Sequence, residues 1–542
     1  MNSRMKNNSL ECGPDASGAP LWSTFERVPA EIIQTSENGA VGQSAARPAH
    51  SKEIAPRLAA LVFLVFLFSI GVTAQTPQAT PPPAAAPRSV QFPKPTEKTL
   101  ANGLRVIVIE RRETPLVAAQ LIVKNGAEVD QPELAGLANM TADLLTKGTK
   151  KRTATQIAEE IEALGASIDY GARWDASRVT LNVMSTKVSQ AMEILADVVR
   201  NPTFKADEIE RLRQQTIDDL TVEMGEPGSI ARYVGSRVVF GDAPYGQPIT
   251  GTPQTIARIA YQDLARFHNK YYRPDNAILV IGGDIKAADA FKLAQQLLGD
   301  WKKPADALPA MTTPKLISTG PRVVVVDKPD AGQAAVIVAR TGIDRADPDY
   351  FSGIVTNSVL TGYSGRLNQE IRIKQGLSYG ASSALDTRRY IGPFAASAQT
   401  KNLSAALVAN LLLEEVKRLS SAPVPDVELN PRKAVVIGNF ARNLETAGGL
   451  VAQIGSLALY GINFDQINSY ISNVQSVGAS DVQRFAGTRL DPKGIHVVIV
   501  GNAKEFLPEL RKQFANVEVI PAAELDLNTA RLRKNPGSAR LK

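Results

Sequence analysis

Residues 135–149 read AGLANMTADLLTKGT. Leu134, Leu137, Ala138, Leu144 and Leu145 recur at the spacing of one helix face, which predicts a helix over about 133–147 packed against a core. Asn139 and Asp143 stand four residues apart on it, one above the other. That is the spacing at which two histidines on a helix share a zinc ion. Here neither is a histidine, and Ala142 has no group that could take a proton. The stretch keeps the frame of a metal-binding helix and omits the ligands.

Metal chemistry elsewhere is limited too. The 542 residues hold one cysteine, Cys12, and three histidines, His50, His268 and His496. An internal disulfide and a thiolate zinc cluster are therefore excluded. His268 and His496 read as ordinary helix-surface or strand-end histidines. A content of 44% apolar and 21% charged residues describes a globular protein. The net charge of +7 is mild, and no basic stripe is interleaved with aromatics, so nucleic acid is excluded as a partner.

The run LAALVFLVFLFSIGVTA (58–74) is uncharged, follows Lys52 and Arg57, and ends in the small residues Val72, Thr73 and Ala74. It is short for a bilayer span, which needs about 20 apolar residues. Residues 1–74 read as a signal peptide with an unusually long leading region, and 75–96 as a Pro/Ala-rich linker. The expected location is the periplasm or cell envelope, with membrane attachment only if the apolar run stays uncut.

Beyond the linker the patterning is mixed α/β. Strands are predicted at 104–110, 116–126, 177–185 and 276–285, and helices at 153–165, 188–200 and 206–224. Thr153 and Gln156 have capping-box spacing. The plan then repeats. Arg105–Val108 aligns with Arg322–Val325 at an offset of 217, and the segments beginning at Arg266 and Arg484 align at 218. Pro202 and Pro423, each before an acidic helix start, stand 221 apart. Anchors in register at nearly constant spacing imply a duplication of roughly 220 residues. The predicted organisation is an N-terminal lobe (97–300), an interlobe linker (301–321), a C-terminal lobe (322–520) and a basic tail (521–542).

Three features together resemble the insulinase/pitrilysin-type metallopeptidases, the inverzincins with the signature H-x-x-E-H. They are the frame Gly136-Leu137-Ala138 to Lys147-Gly148-Thr149, the duplicated plan, and Phe267 to Asn276 in the pattern F-x-x-x-Y-Y-x-P-x-N. The resemblance spans about residues 97–520 and implies an α/β (α+β) fold of two homologous lobes, each a mixed sheet packed with helices, arranged like a clamshell. Its signature falls on Asn139, Ala142 and Asp143, and its distant glutamate ligand falls near Asp219. A neutral amide is a poor zinc ligand and alanine is no base, so this chain is expected to hold no metal. A carboxylate site for calcium or magnesium through Asp143 and Asp219 is the minor alternative.

The second half departs less. SGRLNQEIRIKQGLSYGASSALD (364–386) is similar to the segment from which, in active members, an arginine and a tyrosine seven residues apart bind the substrate carbonyl. Those positions are Arg372 and Tyr379. Residue types alone suggest a blander arrangement, with Arg372 paired to Glu370 or Asp386 and Tyr379 half-buried in a strand. The family resemblance favours transition-state stabilisation instead. It also implies two related chains around one chamber, this chain lending Arg372 and Tyr379 to a zinc-bearing homologous partner that hydrolyses short unfolded peptides. The rival expectation is an inactive peptide-binding or scaffold protein. A nucleophile elbow at GYSGR (362–366) is rejected, because Arg366 stands where a second glycine is needed.

Overall fold

A computed structural model of the chain describes residues 91–311, 313 and 320–534. The predicted signal peptide, most of the Pro/Ala linker, part of the interlobe linker and the last eight residues lie outside that range. Among the described residues no helix is long and apolar enough to cross a membrane.

The first sheet comprises β1 (Thr96–Thr99), β2 (Arg105–Glu110), β3 (Leu116–Val123), β4 (Ser167–Ala172), β5 (Ser177–Met184) and β6 (Ala277–Gly283). Its order is β1-β2-β6-β3-β5-β4. The second comprises β7 (Val323–Asp327), β8 (Ala334–Thr341), β9 (Ala381–Leu385), β10 (Pro393–Thr400), β11 (His496–Gly501) and β12 (Val517–Pro521), in the order β12-β7-β11-β8-β10-β9. Matched strand by strand, five positions are equivalent, each sheet being antiparallel except at the β2–β6 and β7–β11 pairs and where β12 joins β7. The sixth position is filled differently: β1 joins its sheet antiparallel from the N-terminal side, and β12 joins parallel from the C-terminal side. This is the duplication that the offsets imply.

The helices of the first lobe are α1 (Leu137–Asp143), α2 (Ala154–Ala163), α3 (Val188–Arg200), α4 (Ala206–Glu223), α5 (Pro227–Phe240), α6 (Pro253–Arg258), α7 (Tyr261–Tyr271) and α8 (Ala287–Leu298). The second lobe contributes α9 (Tyr350–Leu360), α10 (Ala405–Ser421), α11 (Asp426–Leu444), α12 (Ala447–Leu459), α13 (Gln466–Ser476), α14 (Ala479–Arg489) and α15 (Ala503–Gln513). Thr153 and Gln156 form the expected reciprocal cap of α2. The helix expected over 133–147 is shorter. A 3-10 turn occupies Pro132–Leu134, and α1 begins only after Gly136, whose φ of 96° breaks the helical path.

Both faces of each sheet are covered, which is why its central strands read as continuous apolar runs. In the first sheet, Val106, Val117, Leu121, Leu279 and Ile281 face the helices of their own lobe. Ile107, Ile109, Ile122, Ile278 and Val280 face α12 of the other lobe, through Leu450, Val451 and Ile454. The exchange is reciprocal. Helix α5 leaves the first lobe and lays Ile230, Ala231 and Val234 on Val324, Val326, Ile337 and Val498 of the second sheet. Each fully buried Leu, Ile or Val contributes about 1.5–3 kcal/mol, so the crossed helices tie the lobes through their cores.

A polar knot adds to this. In the β9–β10 turn, Arg389 reaches into the first lobe and donates to Glu128 at 2.9 Å and to the carbonyls of Lys124 and Asp175, both at 2.8 Å. Burial pushes the Glu128 carboxyl up to about 7, with Asp175 adding to the shift and Arg389 opposing it.

In the described part of the basic tail, 521–534, Leu525, Leu527 and Leu532 are buried against α5, and Arg237 donates to the Leu527 carbonyl at 2.7 Å. One expectation is corrected. His268 is not on a helix surface. It is buried, bonded to the Val199 carbonyl at 2.8 Å and stacked on Tyr272.

Candidate functional site

The two half-sites lie on different lobes. On the first, Asp130 holds the start of α1: its carboxylate accepts from the Gly136 amide at 3.0 Å and the Ala138 amide at 3.1 Å. Thr255 ties the same corner by donating to the Ala135 carbonyl at 2.8 Å. The helix is thus held firmly, but what it presents is not a metal site. Ala142 is fully buried in the lobe's core. Asn139 and Asp143 are half-buried. Asp143 lies near Tyr272, whose phenol is kept protonated by burial first and further by the Asp143 charge. Asp219 is exposed on α4. The carboxylate one turn further along that helix, Glu223, accepts from the Tyr233 hydroxyl. Among the described residues no group of three His, Cys, Asp or Glu could hold a metal ion. The residues present do not fit zinc, and they do not assemble a calcium or magnesium site either.

On the second lobe the loop around Arg372 and Tyr379 is ordered and open. It begins at a turn over 361–365, where Arg432 donates to the Ser364 hydroxyl and Arg366 forms a two-point ion pair with Glu428 at 2.7 and 2.9 Å. Ser364 is thus an acceptor in a turn, with no histidine bonded to it. The chain then winds into a π-helix, Asn368–Lys374, with the Gln375 amide bonded to the Glu370 carbonyl. Such wide turns are rare and recur at functional sites. Gly376 follows at φ 63°, and Thr400 pins the loop to β10 by donating to the Leu377 carbonyl at 2.7 Å.

On this frame Arg372 lies over the ring of Tyr363, its guanidinium carbon 5.3 Å from the centroid. The partners considered for it on residue types are taken. Glu370 pairs with Lys374 at 2.9 Å, and Asp386 pairs with Arg388 at 2.6 Å. Tyr379 is not half-buried in a strand: it stands 90% exposed, two residues before β9, the edge strand of its sheet. Tyr363 and Ile373 are also exposed, at 73% and 51%. Sequence reasoning missed Tyr363 in this role. It lies nine residues upstream, and only the turn at Gly362 brings it under the guanidinium.

Residues 105–252 match the insulinase family, peptidase family M16, and residues 258–435 match the peptidase M16 inactive domain. Similar proteins include an uncharacterized zinc protease of Streptomyces coelicolor, 23% identical over 72% of this chain and 85% of the relative. One from Rickettsia bellii is 26% identical over 74% of this chain and 97% of the relative. Among solved structures, a peptidase M16 inactive domain from Pseudomonas fluorescens superposes with a TM-score of 0.70 and 26% identity, covering 75% of this chain and 98% of that one. A protease from Helicobacter pylori superposes with a TM-score of 0.71 at 21% identity, covering 76% and 100%.

Proposed function

The chain belongs to the insulinase (M16) peptidase family, and from that premise we propose that it is the non-catalytic subunit of an exported heteromeric zinc peptidase. It lends Arg372 and Tyr379 to a zinc-bearing homologous partner. The observation that carries this reading is the contrast between the lobes. The helix that should hold zinc has Asn139, a buried Ala142 and Asp143, while Arg372 and Tyr379 stand on a pinned, open loop where no carboxylate among the described residues engages them.

The chemistry suits the arrangement. The Arg372 guanidinium is a directional, planar donor, and the Tyr379 hydroxyl supplies a second donor. Both can donate to the oxygen that gains negative charge as water adds to a peptide carbonyl. Stacking on Tyr363 restrains the guanidinium without neutralising it. Tyr363, Ile373 and Tyr379 are exposed apolar side chains of the kind that a partner or an extended peptide would cover. Relatives named as zinc proteases support placing the zinc in the partner.

The test is Arg372→Ala in the assembled complex. Losing one preorganised donor should lower kcat by about 100- to 1,000-fold, with zinc content and assembly unchanged. Undiminished turnover would overturn the cross-subunit role.

A further inference from the structure

A second feature lies between the lobes, away from the loop of Arg372. It is a cavity of about 740 Å³, walled on one side by the β4–β5 turn and on the other by α9, α11 and α12. Its size is that of a small-molecule site. Five arginines line it (Arg173, Arg178, Arg232, Arg345 and Arg388) against two aspartates, Asp175 and Asp386.

Both aspartates are already engaged. Asp386 accepts two hydrogen bonds from Arg388, and Asp175 accepts from the Tyr245 and Tyr460 hydroxyls and the Arg389 amide. Arg345 donates to Gln466 and lies 3.8 Å from the centroid of the Tyr350 ring, and Arg232 donates to Ser229. The Arg178 side chain has no hydrogen bond or ion pair among the described residues. It sits on β5 with Thr180 and Asn182 on the face turned away from the lobe's own core, which Val179, Leu181 and Val183 face. Burial lowers its affinity for a proton, with Arg173 opposing the charge and Tyr460 and Asp175 too little to offset it.

A half-buried guanidinium with no ion pair of its own is a ready partner for an anion, since buried charges are normally paired. The planar fork of arginine fits carboxylate and phosphate groups at two points. Around it, Tyr350, Tyr460 and the stacked pair Phe440–Tyr470, with centroids 3.8 Å apart, supply apolar walls. We propose that this cavity binds a small molecule bearing a carboxylate or phosphate group, with Arg178 as the residue that pairs with the anion. The proposal does not depend on the role assigned to Arg372.

Thermal unfolding of the full chain tests it, with citrate, inorganic phosphate and sodium chloride compared at equal ionic strength. Citrate or phosphate should raise Tm saturably beyond chloride, and the larger shift identifies the anion class. Arg178→Gln should abolish the shift while leaving the unliganded Tm equal or higher, because an unpaired charge is gone. No shift beyond chloride, or the same shift in Arg178→Gln, overturns the proposal. If that variant does not fold, Ser456→Phe fills the cavity from α12 and leaves the arginine in place. It too should lose the anion-dependent shift, and a retained shift would place the anion elsewhere and refute the site.

Discussion

Ala142 marks how far the first lobe has moved from metal chemistry. Zero exposure means the position is packed, so reinstating a general base there collides with the core as well as burying a charge. Ala142→Glu is expected to lower stability by about 1–3 kcal/mol or more, measured by urea unfolding. An unchanged midpoint would mean the side chain reaches solvent and the site is more easily restored than described. His268 gives a pH-dependent prediction at the same scale. Its pKa is lowered to about 4 by burial, against an ordinary value near 6.5, although the Val199 carbonyl opposes the shift. The unfolded chain thus takes up this proton before the folded one does. The stability His268 contributes is complete above about pH 6.5 and is lost as pH falls through about 4, on the order of 3 kcal/mol in all. His268→Gln should flatten the fall of Tm between pH 6.5 and 4, and an unaltered slope would show that other groups carry it. The residues of the degenerate helix were legible in the sequence because the signature spacing is local. The inward turn of His268 and the pairing of Arg372 with Tyr363 were not, since both depend on neighbours supplied by tertiary packing.

Elements were legible where periodicity is strong. Helices α2, α3 and α4 fall within a residue or two of their predicted ends, as do β2 and β5. Strand β4 was not anticipated, because Ser167–Ala172 holds Asp, Tyr and Gly on a half-exposed edge and lacks a clear alternation. The helix exchange was invisible for a different reason. Nothing local in the runs that form α5 and α12 says whose sheet they cover. The register of α12 depends on Gly455, where an added Cβ would lie 2.7 Å from both Gln120 Oε1 and Ile122 Cδ1 of β3. Gly455→Val must therefore displace the ends of Gln120 and Ile122 or the helix itself, at an expected cost of about 1–3 kcal/mol. A urea midpoint equal to that of the parent protein would contradict the close seating of α12 on the first sheet.

For the whole molecule, the duplication was readable from offsets near 218, and the matching strand orders give it physical form. The sequence could not show that the copies interlock through exchanged helices and the Arg389 knot, or that a cavity rich in arginine remains between them. Polar residues at Arg178, Thr180 and Asn182 along one face of β5 were the available signal. The duplication also explains how the copies could diverge. One lobe's helix lacks the zinc ligands and the other lobe carries an arginine and a tyrosine on its exposed loop, the contrast on which the proposed partnership with a second chain rests. The most direct measurement is to purify the tagged chain from the cells that make it, sequence what co-elutes and determine zinc. The account predicts a stoichiometric relative carrying H-x-x-E-H, one zinc per pair, and peptidase activity in the pair alone. Isolation of this chain by itself, free of zinc and of any such relative, would contradict it.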